Sequence, residues 1–229
     1  MGFTKVIKES FAGWHKLDYL LMATCIIIVG VIPIFKSEEG WVFTLITSVA
    51  AIVSAMLNYK GQGLTFPVYV IYSVVYIYVS LTNHMYGEAI LYGVWALPMY
   101  TMSTVKWIKK TNVVPEGFEI NILKKKHLII ILVLGVLVTL GYGYGLSMIN
   151  SNVPYLNSLG TVCSATGIYM TNRRYREQWY AWLAYTFVFA AIWMSNMTIS
   201  FLVQSCLFLV LNVLGLLNWN KEYKRQLEQ

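Results

Sequence analysis

Residues 170–195 read MTNRRYREQWYAWLAYTFVFAAIWMS. Three arginines (Arg173, Arg174, Arg176) and one acid, Glu177, give way to the run from Gln178 to Ser195, 18 residues without a charge. Eighteen residues of α-helix rise about 27 Å, close to the thickness of the hydrocarbon core of a bilayer. The stretch therefore predicts a membrane-spanning helix that begins at a basic loop. A barrel strand would instead alternate polar and apolar side chains.

The same pattern recurs along the chain. Of 229 residues, 58% are apolar and 12% charged, against roughly 25% charged in an ordinary soluble domain. This composition excludes a water-soluble enzyme. Apolar runs bounded by charges or turn residues predict an all-α integral membrane protein with eight transmembrane helices: Tyr19 to Phe35, Trp41 to Asn58, Leu64 to Thr82, Tyr86 to Val105, His127 to Met148, Tyr155 to Asn172, Gln178 to Ser195 and Thr198 to Asn218. The loops after helices one, three, five and seven hold one basic residue, Lys36, while the N-terminal segment, the remaining loops and the tail hold sixteen. By the positive-inside rule both termini are cytoplasmic. The net charge of +7 is then a topology signal, and no nucleic-acid partner is expected.

The first 18 residues are expected to form an interfacial helix without a cleavage site. Cys25, Cys163 and Cys206 fall inside helices as packing residues. The spans carry no metal-binding or catalytic motif, so no cofactor, metal or enzyme activity is expected.

Set against itself at an offset of 114, the chain pairs Thr47, Ala51, Met56 and Asn58 with Thr161, Ala165, Met170 and Asn172. Helices two to four and six to eight thus read as two three-helix units joined by helix five, a 3+1+3 parallel repeat with helix one added. The expected organisation is 1–40 for the N-terminal segment and extra helix, 41–110 for the first bundle, 111–150 for the basic loop and linking helix, and 151–229 for the second bundle and tail. Such a plan places a binding site between the bundles.

Trp179, Trp182, Thr186, Phe189 and Trp193 share one face of helix seven. The offset sets Thr186 on Tyr72, whose face adds Tyr69, Tyr76 and Ser80. Flat π surfaces with a few hydroxyls suit a planar heterocycle with a polar substituent, and a cationic ring adds cation–π attraction. Packing and interface anchoring are the alternative roles for such aromatics. Gln204, Asn212 and Thr186 are candidate polar contacts, or else interhelical hydrogen-bonding groups. Asn58 and Asn172 are gate candidates or helix caps. Of ten acids only Glu88 falls within a span, about one turn from its outer boundary; it is a gate candidate, or a side chain that snorkels to the interface. With no carboxylate at depth, uncoupled transport is expected. Pro67, Pro98 and the Gly141–Gly145 run are candidate hinges, and Asn196-Met197-Thr198 reads as a glycosylation sequon.

The run from Met170 to Trp182, with Trp179 and Trp182 as a WxxW pair, and the Leu211-Asn212 pair further on, resemble the PnuC-type nicotinamide riboside transporter family. The resemblance spans residues 41 to 224. It implies a SWEET-like fold turned the other way up, residence in a bacterial inner membrane, and facilitated diffusion with trapping by a soluble cytoplasmic kinase. It also implies that Trp179 and Trp182 form a stacking site and that Asn212 is a polar contact. Gln178 and Thr186 both stand where the family pattern has Asn. Relatives take thiamine, riboflavin or deoxynucleosides, so the expected substrate is nicotinamide riboside or a related nucleoside or vitamin. A ligand-sensing receptor and a SWEET-like sugar carrier are the competing classes.

Overall fold

A computed structural model of the chain describes residues 7, 10–11, 13–36, 40–110, 119–195, 197 and 199–228, with side chains omitted at 33, 36 and 107–110. Eight helices are present among the described residues: α1 (Lys16–Lys36), α2 (Trp41–Tyr59), α3 (Thr65–Thr82), α4 (86–110), α5 (Lys125–Met148), α6 (Pro154–Asn172), α7 (Gln178–Ser195) and α8 (Ile199–Glu228). The described residues contain no strand, only an isolated bridge between Asn121 and Tyr175. By length and composition α2, α3, α5 and α8 can cross a membrane. Their outward faces carry exposed hydrocarbon, as at Leu132, Val136 and Leu140 on α5. In lipid this costs nothing, because the tails are as apolar as leucine.

The helix boundaries correct the register of the repeat. Helices α2 and α6 both have 19 residues and begin at 41 and 154; α3 and α7 both have 18 and begin at 65 and 178. The next pair, α4 and α8, begin at 86 and 199. Left-handed residues recur in step, at Gly40 and Val153 and at His84 and Met197. Every pair is 113 apart, not 114. A few identities between two apolar helices can align by chance, whereas the starts and stops of two helix pairs and the left-handed residues all agree on one spacing. At this spacing Tyr72 falls on Tyr185, and Ser73 on Thr186.

Helix α2 packs on α1 and α3, α3 on α4, α6 on α5 and α7, and α7 on α8. The sets are joined where α8 lies on α2 and where the start of α4 meets α6. Trp179, Trp193, Trp219, Tyr76, Tyr100, Phe189 and Phe201 fill the shared interior. Two glycines let tryptophans approach the backbone. A Cβ at Gly215 would lie 2.4 Å from the Trp179 ring, and one at Gly167 would lie 2.9 Å from Trp182.

Two predicted ends move. Helix α4 runs on to Lys110 and α8 to Glu228, well past Asn218. The extension of α8 has a partner: the Gln226 amide bonds both the N–H (2.8 Å) and the carbonyl (3.2 Å) of Ile120. Asn121 in turn pairs with the backbone of Arg174 and Arg176, and Leu123 N–H donates to Glu177 Oε2 at 3.0 Å. The linker is thus tied to the α6–α7 loop and to α8.

Of the three hinge candidates, Pro98 marks a real irregularity. Helix α4 is a π-helix over Leu91–Ala96 and resumes as α-helix at Leu97. Pro98 has no N–H, and its ring presses on the carbonyl four residues back, inside the widened turn. Pro67 lies in the first turn of α3, where no intrahelical N–H bond is lost. The glycines of 141–145 lie within unbroken α5. Asn196 and Thr198 of the sequon, and residues 1–6, 8, 9 and 12 of the expected interfacial helix, lie outside the described residues.

Alanine in a helix interior is normally favoured over glycine by about 1 kcal/mol. Gly215→Ala should reverse that sign and lower the melting temperature of the detergent-purified protein. Gly141→Ala, where nothing lies within 4 Å of the added Cβ, should raise it.

Candidate functional site

A cavity of about 30 Å³ lies among α2, α3, α4, α7 and α8. Its walls are Ala51, Ala55 and Asn58 from α2, Tyr69 and Tyr72 from α3, Tyr92 from α4, Trp179, Trp182, Tyr185 and Thr186 from α7, and Phe208 and Asn212 from α8. That volume holds about one water, so these walls must separate before a larger ligand fits. A second cavity, of about 510 Å³, is a groove among α5, α6 and α7 lined almost wholly by side chains such as Leu132, Val136, Val162 and Ala184. It opens on the exposed flank of α5, and its few oxygen-bearing side chains are Thr139, Thr166, Glu177 and Tyr180.

Seven of the predicted residues meet in the small cavity: Asn58, Tyr69, Tyr72, Trp179, Trp182, Thr186 and Asn212. Tyr76, Trp193 and Gln204 do not line it. Tyr76 stacks behind Tyr72 with ring centroids 5.1 Å apart, and Trp193 packs on Phe201 at 4.4 Å. Trp193 lies fourteen residues beyond Trp179, about 21 Å along the helix axis. A shared face is therefore not a shared site. The Gln204 amide is fully buried, with neither its oxygen nor its nitrogen hydrogen-bonded.

Polar groups join the wall to the end of the bundle that carries the basic loops. Gln178, fully buried, accepts at Oε1 from Asn58 Nδ2 (3.2 Å) and lies 2.7 Å from the Thr171 hydroxyl. Thr171 Oγ1 accepts from Trp182 Nε1 at 3.0 Å, which fixes the indole across the cavity. On the facing wall Asn212 Nδ2 donates to Thr186 Oγ1 at 2.9 Å, and Thr186 donates to the Trp182 carbonyl at 2.8 Å. Trp219 covers this end: its Nε1 donates to the Asn58 carbonyl at 3.3 Å, and its ring meets Trp179 edge-on at 5.8 Å. Asn58 therefore bridges two helix sets and is more than a cap.

The other two gate candidates lie elsewhere. Asn172 accepts from the Ser103 hydroxyl and donates to the Ile168 carbonyl, facing α4 away from the cavity. Glu88 is completely buried, so it does not snorkel. Its Oε2 accepts from the Tyr185 hydroxyl at 3.1 Å. Gly160 on α6 makes the room, since a Cβ there would come within 3.1 Å of Glu88 Oε1.

Besides Ala51, Ala55 and Phe208, the predicted contacts lacked two wall residues, Tyr185 and Tyr92, and two network residues, Gln178 and Thr171. Tyr185 is the partner of Tyr72 in the 113 register, so the correct offset would have found it. Tyr92 reaches the cavity from the π-turn of α4, which no local pattern announces. Gln178 stood out only as a departure from the family pattern.

The family model described as nicotinamide mononucleotide transporter matches residues 41–221. The chain belongs to this family. Two curated relatives are each named nicotinamide riboside transporter PnuC. One, from Neisseria mucosa, is 25% identical over 95% of this chain and 86% of the relative. The other, from Haemophilus influenzae, is 25% identical over 96% of both chains. A crystal structure titled as the vitamin B3 transporter PnuC superposes with a TM-score of 0.80 at 23% identity, covering 98% of this chain and 99% of that one. The helical fold is shared, and the chain is a multi-pass membrane transporter rather than an enzyme.

The Asn58–Gln178 bond predicts coupling. In a double-mutant cycle of Asn58→Ala and Gln178→Ala, read as thermal stability in detergent, the double variant should be more stable than the sum of the single losses predicts, by about 0.5 kcal/mol or more. Strict additivity would refute the bond.

Proposed function

We propose that the protein carries nicotinamide riboside, or a closely related nucleoside, across a bacterial inner membrane by facilitated diffusion. One observation carries this reading: six aromatic rings of α3, α4 and α7 surround a cavity whose polar groups are amides and hydroxyls, with no Lys, Arg or His among the described residues of its wall. Ring faces suit a pyridine or another planar base, and Asn58, Thr186 and Asn212 suit ribose hydroxyls. A mononucleotide phosphate would ordinarily be met by Arg or Lys, so the wall favours the riboside over its phosphate. The names of the two curated relatives agree.

The recurrence at 113 supports two bundles, 41–110 and 151–229, related as parallel repeats about α5 in a SWEET-like 3+1+3 plan. Residues 1–40 are then an addition and 111–150 the linker. The sixteen-to-one distribution of basic residues supports cytoplasmic termini. Asn58, Gln178 and Trp219 would then close the cytoplasmic side. Phosphorylation inside the cell by a soluble kinase would give the product a charge of about −2 and prevent its return.

In liposomes, labelled nicotinamide riboside should equilibrate without an ion gradient, and nicotinamide mononucleotide should not cross. Trp182→Ala should weaken uptake about tenfold or more, the scale of one lost stacking partner, while Leu209→Ala on the lipid face should leave it unchanged. Strict dependence on a proton or sodium gradient would overturn facilitated diffusion. Preference for thiamine, riboflavin, thymidine or sucrose in the same assay would overturn the substrate, and binding without flux would identify a receptor.

A further inference from the structure

The carboxyl of Glu88 is the group that the preceding description leaves unused. It is fully buried, near the start of α4. The other buried acid, Asp18, is paired with Lys60 at 2.6 Å, and Glu177 and Glu222 have arginine partners. Glu88 has no cationic partner among the described residues; one oxygen accepts from Tyr185, and Oε1 has no hydrogen-bond donor. An acid in this position inside a membrane protein is costly, and a fold that retains one generally uses it.

Its surroundings point toward the cavity. Tyr185, the residue that holds Oε2, is itself part of the cavity wall, and Tyr92, also in the wall, lies four residues further along α4 than Glu88. The carboxyl is thus one hydrogen bond behind a surface of aromatic faces. Ring faces carry negative potential, and an anion behind them increases it. In this low-dielectric setting the attraction extends across the ring to the cavity. With a neutral ligand the carboxyl has no cationic partner and burial favours its protonated form, whereas a cation in the cavity would supply the missing partner and favour the carboxylate.

We propose that Glu88 is a specificity-determining residue that favours a positively charged heterocycle over an uncharged ring of the same shape. The carboxyl does not touch the ligand; it acts through Tyr185 and the neighbouring phenols. This rests on the substrate reading above and deepens it, because the pyridinium of nicotinamide riboside is a cation. A purely structural acid, needed only to accept from Tyr185, would be replaced by glutamine without changing which ring charge is preferred.

The test uses tryptophan-fluorescence titration of the purified full-length protein with two ligands. Nicotinamide riboside carries the cationic ring, and benzamide riboside, its carbon-linked isostere, carries a neutral one. Glu88→Gln should weaken nicotinamide riboside binding about tenfold and leave benzamide riboside within about twofold, the scale expected of one charge pair across a ring. Glu88→Asp, which keeps the charge, should retain most of the preference. An unchanged ratio in Glu88→Gln, or an equal loss for both ligands, would overturn the proposal. If the unaltered protein binds neither riboside, the substrate reading fails and this inference falls with it. If it prefers the cation and Glu88→Gln still does, only the role of Glu88 is lost.

Discussion

The structure depends on one constraint: inside a bilayer a polar group finds its partner within the protein or goes without. Backbone groups meet it by forming helices, hence the absence of strands among the described residues. Side chains meet it by turning inward, and the most consequential case is Gln178. Its carbonyl receives Asn58 from α2, and the neighbouring Thr171 hydroxyl anchors the Trp182 indole. A few amides and hydroxyls thereby set the distance between helix sets and the plane of an aromatic ring. Asn212 and Thr186 do the same for the facing wall.

Around this polar frame the aromatic residues divide into two groups. Trp179, Trp182, Tyr69, Tyr72, Tyr92, Tyr185 and Phe208 border the cavity, while Tyr76, Phe189, Trp193 and Phe201 pack against one another further from the basic end. The glycines Gly167 and Gly215 hold the two cavity tryptophans tightly against helix backbones. The cavity is consequently small, and under the proposed function a ligand enters it only when the helix sets separate. The π-turn of α4 ahead of Pro98 places a widened stretch of helix beside that cavity, with Tyr92 on it.

Residue chemistry and spacing identified most of the cavity wall. Trp179, Trp182 and Thr186 were legible because an i, i+3, i+7 spacing survives any packing of the helix. Asn212 was legible because an amide within a hydrophobic span is unusual. Trp193 and Gln204 were chosen on the same grounds and lie elsewhere, since periodicity specifies a face but not a depth. Tyr185 was hidden by a one-residue error in the repeat offset. Such an error moves every equivalence by about 100° around the helix, far enough to exchange a hydroxyl for a ring.

Helix number, the membrane environment and the family were determined by the sequence alone, because hydrocarbon thickness fixes span length and basic residues accumulate in particular loops. The WxxW pair and the amide in α8 were likewise evident from local chemistry. Tertiary structure alone decided the true 113 register, the bridge from Asn58 to Gln178, the π-turn that brings in Tyr92, and the burial of Glu88. Each of these depends on which surface of a neighbouring helix comes near. The carboxyl of Glu88 is buried against Gly160, seventy-two positions along the chain, where a Cβ would come within 3.1 Å of Oε1.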